Sequence, residues 1–145
     1  MRERASGILC HPTSLPGRFG IGSLGRHARA LLDFLVDAGQ SYWQVLPLGP
    51  TGYGDSPYQA FSAYAGNPLL IDLRTLKRRG ILTTQELPPD APREDQVNFA
   101  ALIPWKNRML SLAYEQSYAR LERKVNAFRE ENALWSFAPH DISMI

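Results

Sequence analysis

The chain has 145 residues, 44% of them hydrophobic and 21% charged, with a formal net charge of +2. That length fits one ordinary domain, the apolar fraction fits a globular chain and not a disordered one, and so small a charge gives no footing for nucleic acid or an anionic membrane. A single cysteine, Cys10, excludes an internal disulfide and a cysteine-held zinc, and no apolar run approaches the roughly 20 residues of a membrane helix.

The charged start, Met1-Arg2-Glu3-Arg4, precedes an apolar run too short for a signal-peptide core, so a cytoplasmic chain is expected. Ser6 to His11 reads as a short buried strand stopped by Pro12. After a loop broken by Pro16, Gly17 and Gly20, Ser23 is the expected N-cap of a helix. Leu24, Ala28, Leu31, Leu32, Leu35 and Val36 recur along it at helical spacing, and Gly39 is its stop. Tyr42 to Leu48 is the next strand, rich in aromatic and branched residues. Strand, helix and strand in this order predict a parallel pair with a right-handed crossover, and two such strands need further strands beside them.

Gly49 to Pro68 has no clear periodicity, and its aromatic residues, Tyr53, Tyr58, Phe61 and Tyr64, argue against disorder. Leu69 to Leu73 is a candidate short strand. Asp72 to Gly80 reads as a short helix with basic residues near its end. Thr83 to Gln96 is a polar connection. Neither Gly nor Pro occurs between Trp105 and Ala138, and a long helix is expected from Trp105 to about Asn132. Leu110, Tyr114, Leu121, Val125 and Phe128 fall near one face of it. Its Arg120 to Lys124 stretch alternates in charge, as a solvated face does.

The candidate chemistry lies in Gln44 to Gln59, which leaves a strand through its C-terminal end, where parallel α/β folds bind ligands. Tyr53 and Tyr58 offer flat aromatic faces, and Thr51, Asp55, Ser56 and Gln59 offer hydrogen bonds. That combination suits a sugar, whose C–H face stacks while its hydroxyls need donors and acceptors. Two readings of the tyrosines stand side by side: ligand contacts, or anchors that hold the loop to the body. Asp55 alone reads as a turn former. Glycines 49, 52 and 54 lack the spacing and the lysine of a phosphate loop. His11 is either a satisfied core histidine or a site residue. His11, His27 and His140 have no metal-ligand spacing, and neither Ser14 nor Ser56 sits in a nucleophile elbow. Cys10 reads as an inert core thiol.

Three runs carry a family resemblance: Gly7-Ile-Leu-Cys-His-Pro-Thr-Ser-Leu-Pro-Gly17, Ile21-Gly-Ser-Leu-Gly25, and Trp43 through Gln59 continuing into Phe61 to Asp72. They closely resemble the N-terminal part of the amylomaltases, the 4-α-glucanotransferases of glycoside hydrolase family 77. Weaker similarity runs through Val97 and the long helix to about Trp135. The resemblance implies an α/β fold: the first βαβ unit of a (β/α)8 barrel, plus the start of an inserted, largely helical subdomain. Residues 1–68 would be barrel strands one and two with their crossover helix and substrate loop. Residues 69–135 would begin the insert, and residues 136–145 form a tail outside the family pattern.

The same resemblance implies transfer of α-1,4-glucan segments between maltooligosaccharides by a retaining mechanism, with no metal or other cofactor. Glucans and maltooligosaccharides are the implied partners. Nucleic acid, membrane and an obligate protein partner are not. Carried over by position, Tyr58 resembles the family tyrosine near the scissile bond and Ser56 its neighbour. Tyr53 resembles a tyrosine of an outer glucan-binding groove. Asp55 lies in the same motif, with a loop-fixing role expected, and His11, Pro12 and Ser14 lie in the loop after strand one. A retaining enzyme needs two carboxyl groups about 5 Å apart. In the family these sit on later barrel strands, beyond this chain, so the chain alone is expected to be inactive. The tail from Ser136, with its Pro139, is expected to reflect a frameshift or truncation near Trp135, with a remodelled natural C-terminus as the alternative. Two other readings remain: a non-catalytic α-glucan-binding module using Tyr53 and Tyr58, and a helical interaction protein using residues 105–132.

Overall fold

The computed structural model describes residues 4–52, 54, 56–59, 65–83, 85, 87 and 96–133. Strands β1 (Gly7–Leu9) and β2 (Tyr42–Gln44) pair in parallel, with Gly7 opposite Tyr42, Ile8 opposite Trp43 and Leu9 opposite Gln44. Both are shorter than the apolar runs that announce them. The ladder reaches only one step further, where the Cys10 N–H donates to the Gln44 carbonyl at 3.0 Å. Pro12 and Pro47 then offer no N–H to continue it. The Trp43 indole N–H donates to the Cys10 carbonyl at 2.7 Å and fastens the two strand ends together.

Helix α1 (Arg26–Asp37) provides the crossover. Its N-cap is Gly25 and not the expected Ser23, whose hydroxyl donates to Asp72 Oδ2 at 3.0 Å. Asp72 lies so close that a methyl group on Gly25 would run into it. At the other end Gly39 takes φ +66°. Its N–H donates to the Val36 carbonyl, and the Gln40 N–H reaches back to the Leu35 carbonyl, which closes the helix as a Schellman motif.

The expected strand at Leu69–Leu73 does not form. Pro68–Leu70 makes a 3₁₀ turn, in which Asn67 Oδ1 accepts from the Leu69 N–H at 2.9 Å and the Ile71 N–H donates to the Pro68 carbonyl at 3.1 Å. Pro68 fixes its own φ and brings no donor, so local bonding wins over ladder formation. Helix α2 (Leu73–Arg78) follows as expected. The Asp72 carboxylate caps it by accepting from the Thr75 N–H at 2.6 Å, and Gly80 ends it at φ +67°.

Helix α3 (Phe99–Glu131) starts before the expected Trp105, at an Asn98 cap that accepts from the Ala101 N–H at 3.2 Å. Pro104 lies inside it. The proline forfeits one early backbone bond, while Leu102, Ile103 and Trp105 on the same turns gain apolar neighbours. The buried face also differs from the expected one: Leu102, Lys106, Met109, Ala113 and Ser117 are enclosed, whereas Tyr114 and Phe128 are exposed. The small residues Ala113 and Ser117 permit close approach. The Ser117 hydroxyl is satisfied by the Ala113 carbonyl at 2.7 Å.

Two apolar clusters form the core. Leu73, Leu82, Met109 and Ala113 make one, with Phe19 and Leu76 against it. Ile21, Leu69 and Leu102 make the other, and Trp105 packs against both. The core therefore sits between α3, α2 and the loop after β1. Strand β1 is exposed along its length, and in β2 only Trp43 is half-buried.

Candidate functional site

The loops at the C-terminal ends of β1 and β2 form the candidate site. After β1, His11 caps a 3₁₀ turn, Pro12–Ser14, with Nδ1 2.7 Å from Thr13 Oγ1. His11 Nε2 is enclosed and has no hydrogen-bond partner among the described residues. Burial lowers the imidazole pKa, and the nearby Pro47 carbonyl, at the end of the β2 segment, opposes that in part. The ring lies between the two loops, where burial favours its neutral form. This is an intermediate outcome for the sequence alternatives: the histidine is half-buried, and one of its nitrogens is unsatisfied.

After β2 the chain returns on itself. The Asn67 N–H donates to the Leu48 carbonyl at 2.7 Å, so the two ends of the long loop are pinned together. Between them, Ser56-Pro57-Tyr58-Gln59 makes a β-turn with proline at its second position, closed by the Gln59 N–H on the Ser56 carbonyl at 3.2 Å. Ser56 Oγ accepts from the Tyr58 N–H at 3.4 Å. Ser56 therefore fixes the turn, and the turn displays Tyr58, whose side chain is 73% exposed. An aromatic held out on a fixed turn can stack on a flat apolar face of a ligand, because its rigidity limits the entropy lost on binding. The structure brings Ser56 and Tyr58 into one turn; Tyr53 and Asp55 lie outside the described residues. Cys10 is a half-buried free thiol beside the strand end.

A second polar cluster escaped the sequence reading. Lys106, 1% exposed, donates from Nζ to the Ile71 carbonyl at 2.6 Å. Burial pushes its pKa down to about 8, with the Asp72 carboxylate opposing the shift. Burial alone would raise the Asp72 pKa. The Thr75 and Ser23 hydrogen bonds and the Lys106 charge outweigh that and hold it below the ordinary carboxylate value. Ser23, Asp72 and Lys106 thus join three segments: the loop before α1, the cap of α2 and the N-terminal third of α3. The one sequence signal was a lysine in step with Leu102, Met109 and Ala113, a helical period that places it on the buried face.

Comparison with known proteins gives a consistent result. The family model described as 4-alpha-glucanotransferase, glycoside hydrolase family 77, matches residues 10–140. The 4-alpha-glucanotransferase of Thermus thermophilus is 52% identical over 136 residues, which is 91% of this chain and 27% of that protein. The Synechocystis 4-alpha-glucanotransferase is 49% identical over 121 residues, 83% of this chain and 24% of that one. Among solved structures, the amylomaltase of Streptococcus agalactiae in complex with acarbose superposes with a TM-score of 0.84 at 41% identity, covering 90% of this chain and 27% of that chain. The chain spans about a quarter of the length of these relatives. Its α/β architecture is that of the opening βαβ unit of a (β/α)8 barrel with helical additions. Among the described residues no helix is long and apolar enough to cross a membrane.

Proposed function

Because the chain belongs to glycoside hydrolase family 77, the 4-alpha-glucanotransferases, we propose that it forms the glucan-contacting first quarter of an enzyme that transfers α-1,4-glucan segments by a retaining mechanism. The turn that displays Tyr58 beyond the C-terminal end of β2 is the observation that carries this reading. In this reading Tyr58 stacks on a glucose ring, Ser56 holds the turn that presents it, and Tyr53 extends the aromatic surface along the chain. Asp55 steadies the loop. The acarbose complex of the Streptococcus agalactiae relative supports a pseudo-oligosaccharide as the kind of ligand. The division near residue 68 belongs to the same proposal, with the barrel portion before it and the helical insert after it. The core gathers α2 and α3 together with Phe19 and Ile21 of the loop after β1, so the two portions pack on each other.

Catalysis needs two carboxyl groups flanking the bond. The strand-end segments 10–25 and 45–59 contain one, Asp55. The chain by itself therefore does not transfer glucan. Purified chain incubated with maltotriose should yield neither glucose nor longer oligomers, and redistribution at an enzymic rate would overturn the proposal. The exposure of Tyr58 also favours a second reading, a stand-alone glucan-binding module. Retardation in an amylose gel that is lost in Tyr58→Ala and Tyr53→Ala supports it, and migration unaffected by amylose removes it.

A further inference from the structure

The chain builds the same short turn twice. Asn67 caps Pro68–Leu70, with Oδ1 accepting from the Leu69 N–H at 2.9 Å. His11 caps Pro12–Ser14 in the same manner, with Nδ1 accepting from the Thr13 N–H at 3.4 Å. Asparagine is a preferred capping residue and histidine is not, so the cap alone does not call for an imidazole at position 11. What the imidazole adds is Nε2. The Thr13 N–H can only donate, which makes Nδ1 the accepting nitrogen and assigns the proton of the neutral ring to Nε2. That N–H is enclosed by the chain's own residues and makes no formed hydrogen bond.

The end of the sheet gives this donor a task. The ladder stops where the Cys10 N–H donates to the Gln44 carbonyl, because Pro12 has no N–H for the next rung. Continuing the register from Leu9 opposite Gln44 sets His11 opposite Leu46. The adjoining Pro47 carbonyl is the acceptor that acts on the ring. We propose that His11 is a positioning residue for the loop that carries Tyr58: its Nε2–H replaces the missing backbone rung, draws on the Pro47 carbonyl, and fixes where the segment leaving β2 enters that loop. One residue further on, the Leu48 carbonyl holds the Asn67 N–H at 2.7 Å, so a fixed Pro47 steadies both ends of the loop. The value of this to the protein rests on the function proposed above, in which the loop meets glucan. His11 itself touches no substrate. Because Nε2 is already shut in, the contact belongs to these two loops alone.

Two variants of the full chain separate the two nitrogens. His11→Asn keeps an acceptor in the place of Nδ1 and loses Nε2; His11→Gln keeps an N–H in the place of Nε2 and loses the cap. Amide exchange followed by NMR should be about five- to ten-fold faster at Asn67 in His11→Asn than in wild type, and close to wild type in His11→Gln. The Thr13 amide should show the opposite order. Equal Asn67 exchange in wild type and His11→Asn, or the same acceleration in both variants, overturns the proposal. The wild-type imidazole nitrogen shifts need no variant: a ring proton on Nε2 that exchanges slowly with water is expected, and a proton on Nδ1 overturns the proposal. Retardation in an amylose gel separates this role from the function. A retarded wild type with about five-fold weaker retention of His11→Asn, restored in His11→Gln, supports both. Equal retention of wild type and His11→Asn overturns the positioning role and spares glucan contact. The expected exchange pattern without retardation of the wild type keeps the positioning role and counts against glucan contact by this chain.

Discussion

Replacing Lys106 with methionine should change the pH dependence of stability more than stability itself. The wild-type ammonium is buried and its pKa is pushed down to about 8 from 10.5. A cation whose pKa is lower in the folded state is held there at a cost, so its contribution becomes less unfavourable as pH rises from the folded toward the unfolded value. Linkage puts the penalty at about 3 kcal/mol near pH 7 and at roughly half of that near pH 9.5. Between those pH values, wild-type stability should therefore gain about 2 kcal/mol relative to Lys106→Met. Near neutrality the variant escapes the penalty but loses the hydrogen bond to the Ile71 carbonyl and leaves that carbonyl unpaired. These terms, each about 1–3 kcal/mol, largely offset the gain. Urea unfolding can be followed by Trp105 fluorescence in a Trp43→Phe, Trp135→Phe background, because Trp105 packs in both core clusters. The difference between the two midpoints should move by about 1 M across that pH window. A direct check is available, since Lys77, Lys106 and Lys124 are the only lysines. In a chain labelled at lysine Cε, the Lys106 signal, assigned by its loss in Lys106→Met, should titrate near 8. A Lys106 signal that titrates at the ordinary lysine value, or parallel pH profiles for wild type and variant, would refute the placement of Lys106 in the core.

Asp72→Ala removes the α2 cap and the Ser23 acceptor, and should lower unfolding stability by about 1–2 kcal/mol; an unchanged urea midpoint contradicts the clamp. The Asp72 pKa is held low in the fold, so its contribution is complete above the ordinary carboxylate pKa and is lost as pH falls through the folded value. Acid titration of wild type against Asp72→Asn should show that loss in the wild type alone. Gly25→Ala drives a methyl group into the Asp72 carboxylate and should cost about 1–3 kcal/mol, read as a lower thermal midpoint. The isolated chain should bind a hydrophobic dye through the exposed Leu9, Phe34 and Tyr42 surface; a sharp monomeric melt without dye binding counts against an uncovered face.

Local chemistry made much of this protein legible from its sequence. The glycine stops at Gly39 and Gly80, the short helix after Asp72 and the parallel pairing of two strands around a helix all follow from residues close in the chain. The long ungapped runs from Gly7 to Gly17 and from Trp43 to Gln59 indicated the family. Tertiary structure decided what each exposed or buried group meets. It moved the α1 cap two residues on, to Gly25, and left the Ser23 hydroxyl to donate to the Asp72 carboxylate, which lies 49 residues away in the chain. Pro68 made Leu69 and Leu70 a 3₁₀ turn where apolar content alone suggested a strand. The buried face of α3 turned toward Met109 and Ala113, with Lys106 among them, because the surface it packs on presents the Ile71 carbonyl and the Asp72 charge. The helical period of Leu102, Lys106, Met109 and Ala113 marks the face, but nothing in α3 announces what makes a lysine tolerable there, since the Ile71 carbonyl and Asp72 lie at the start of α2.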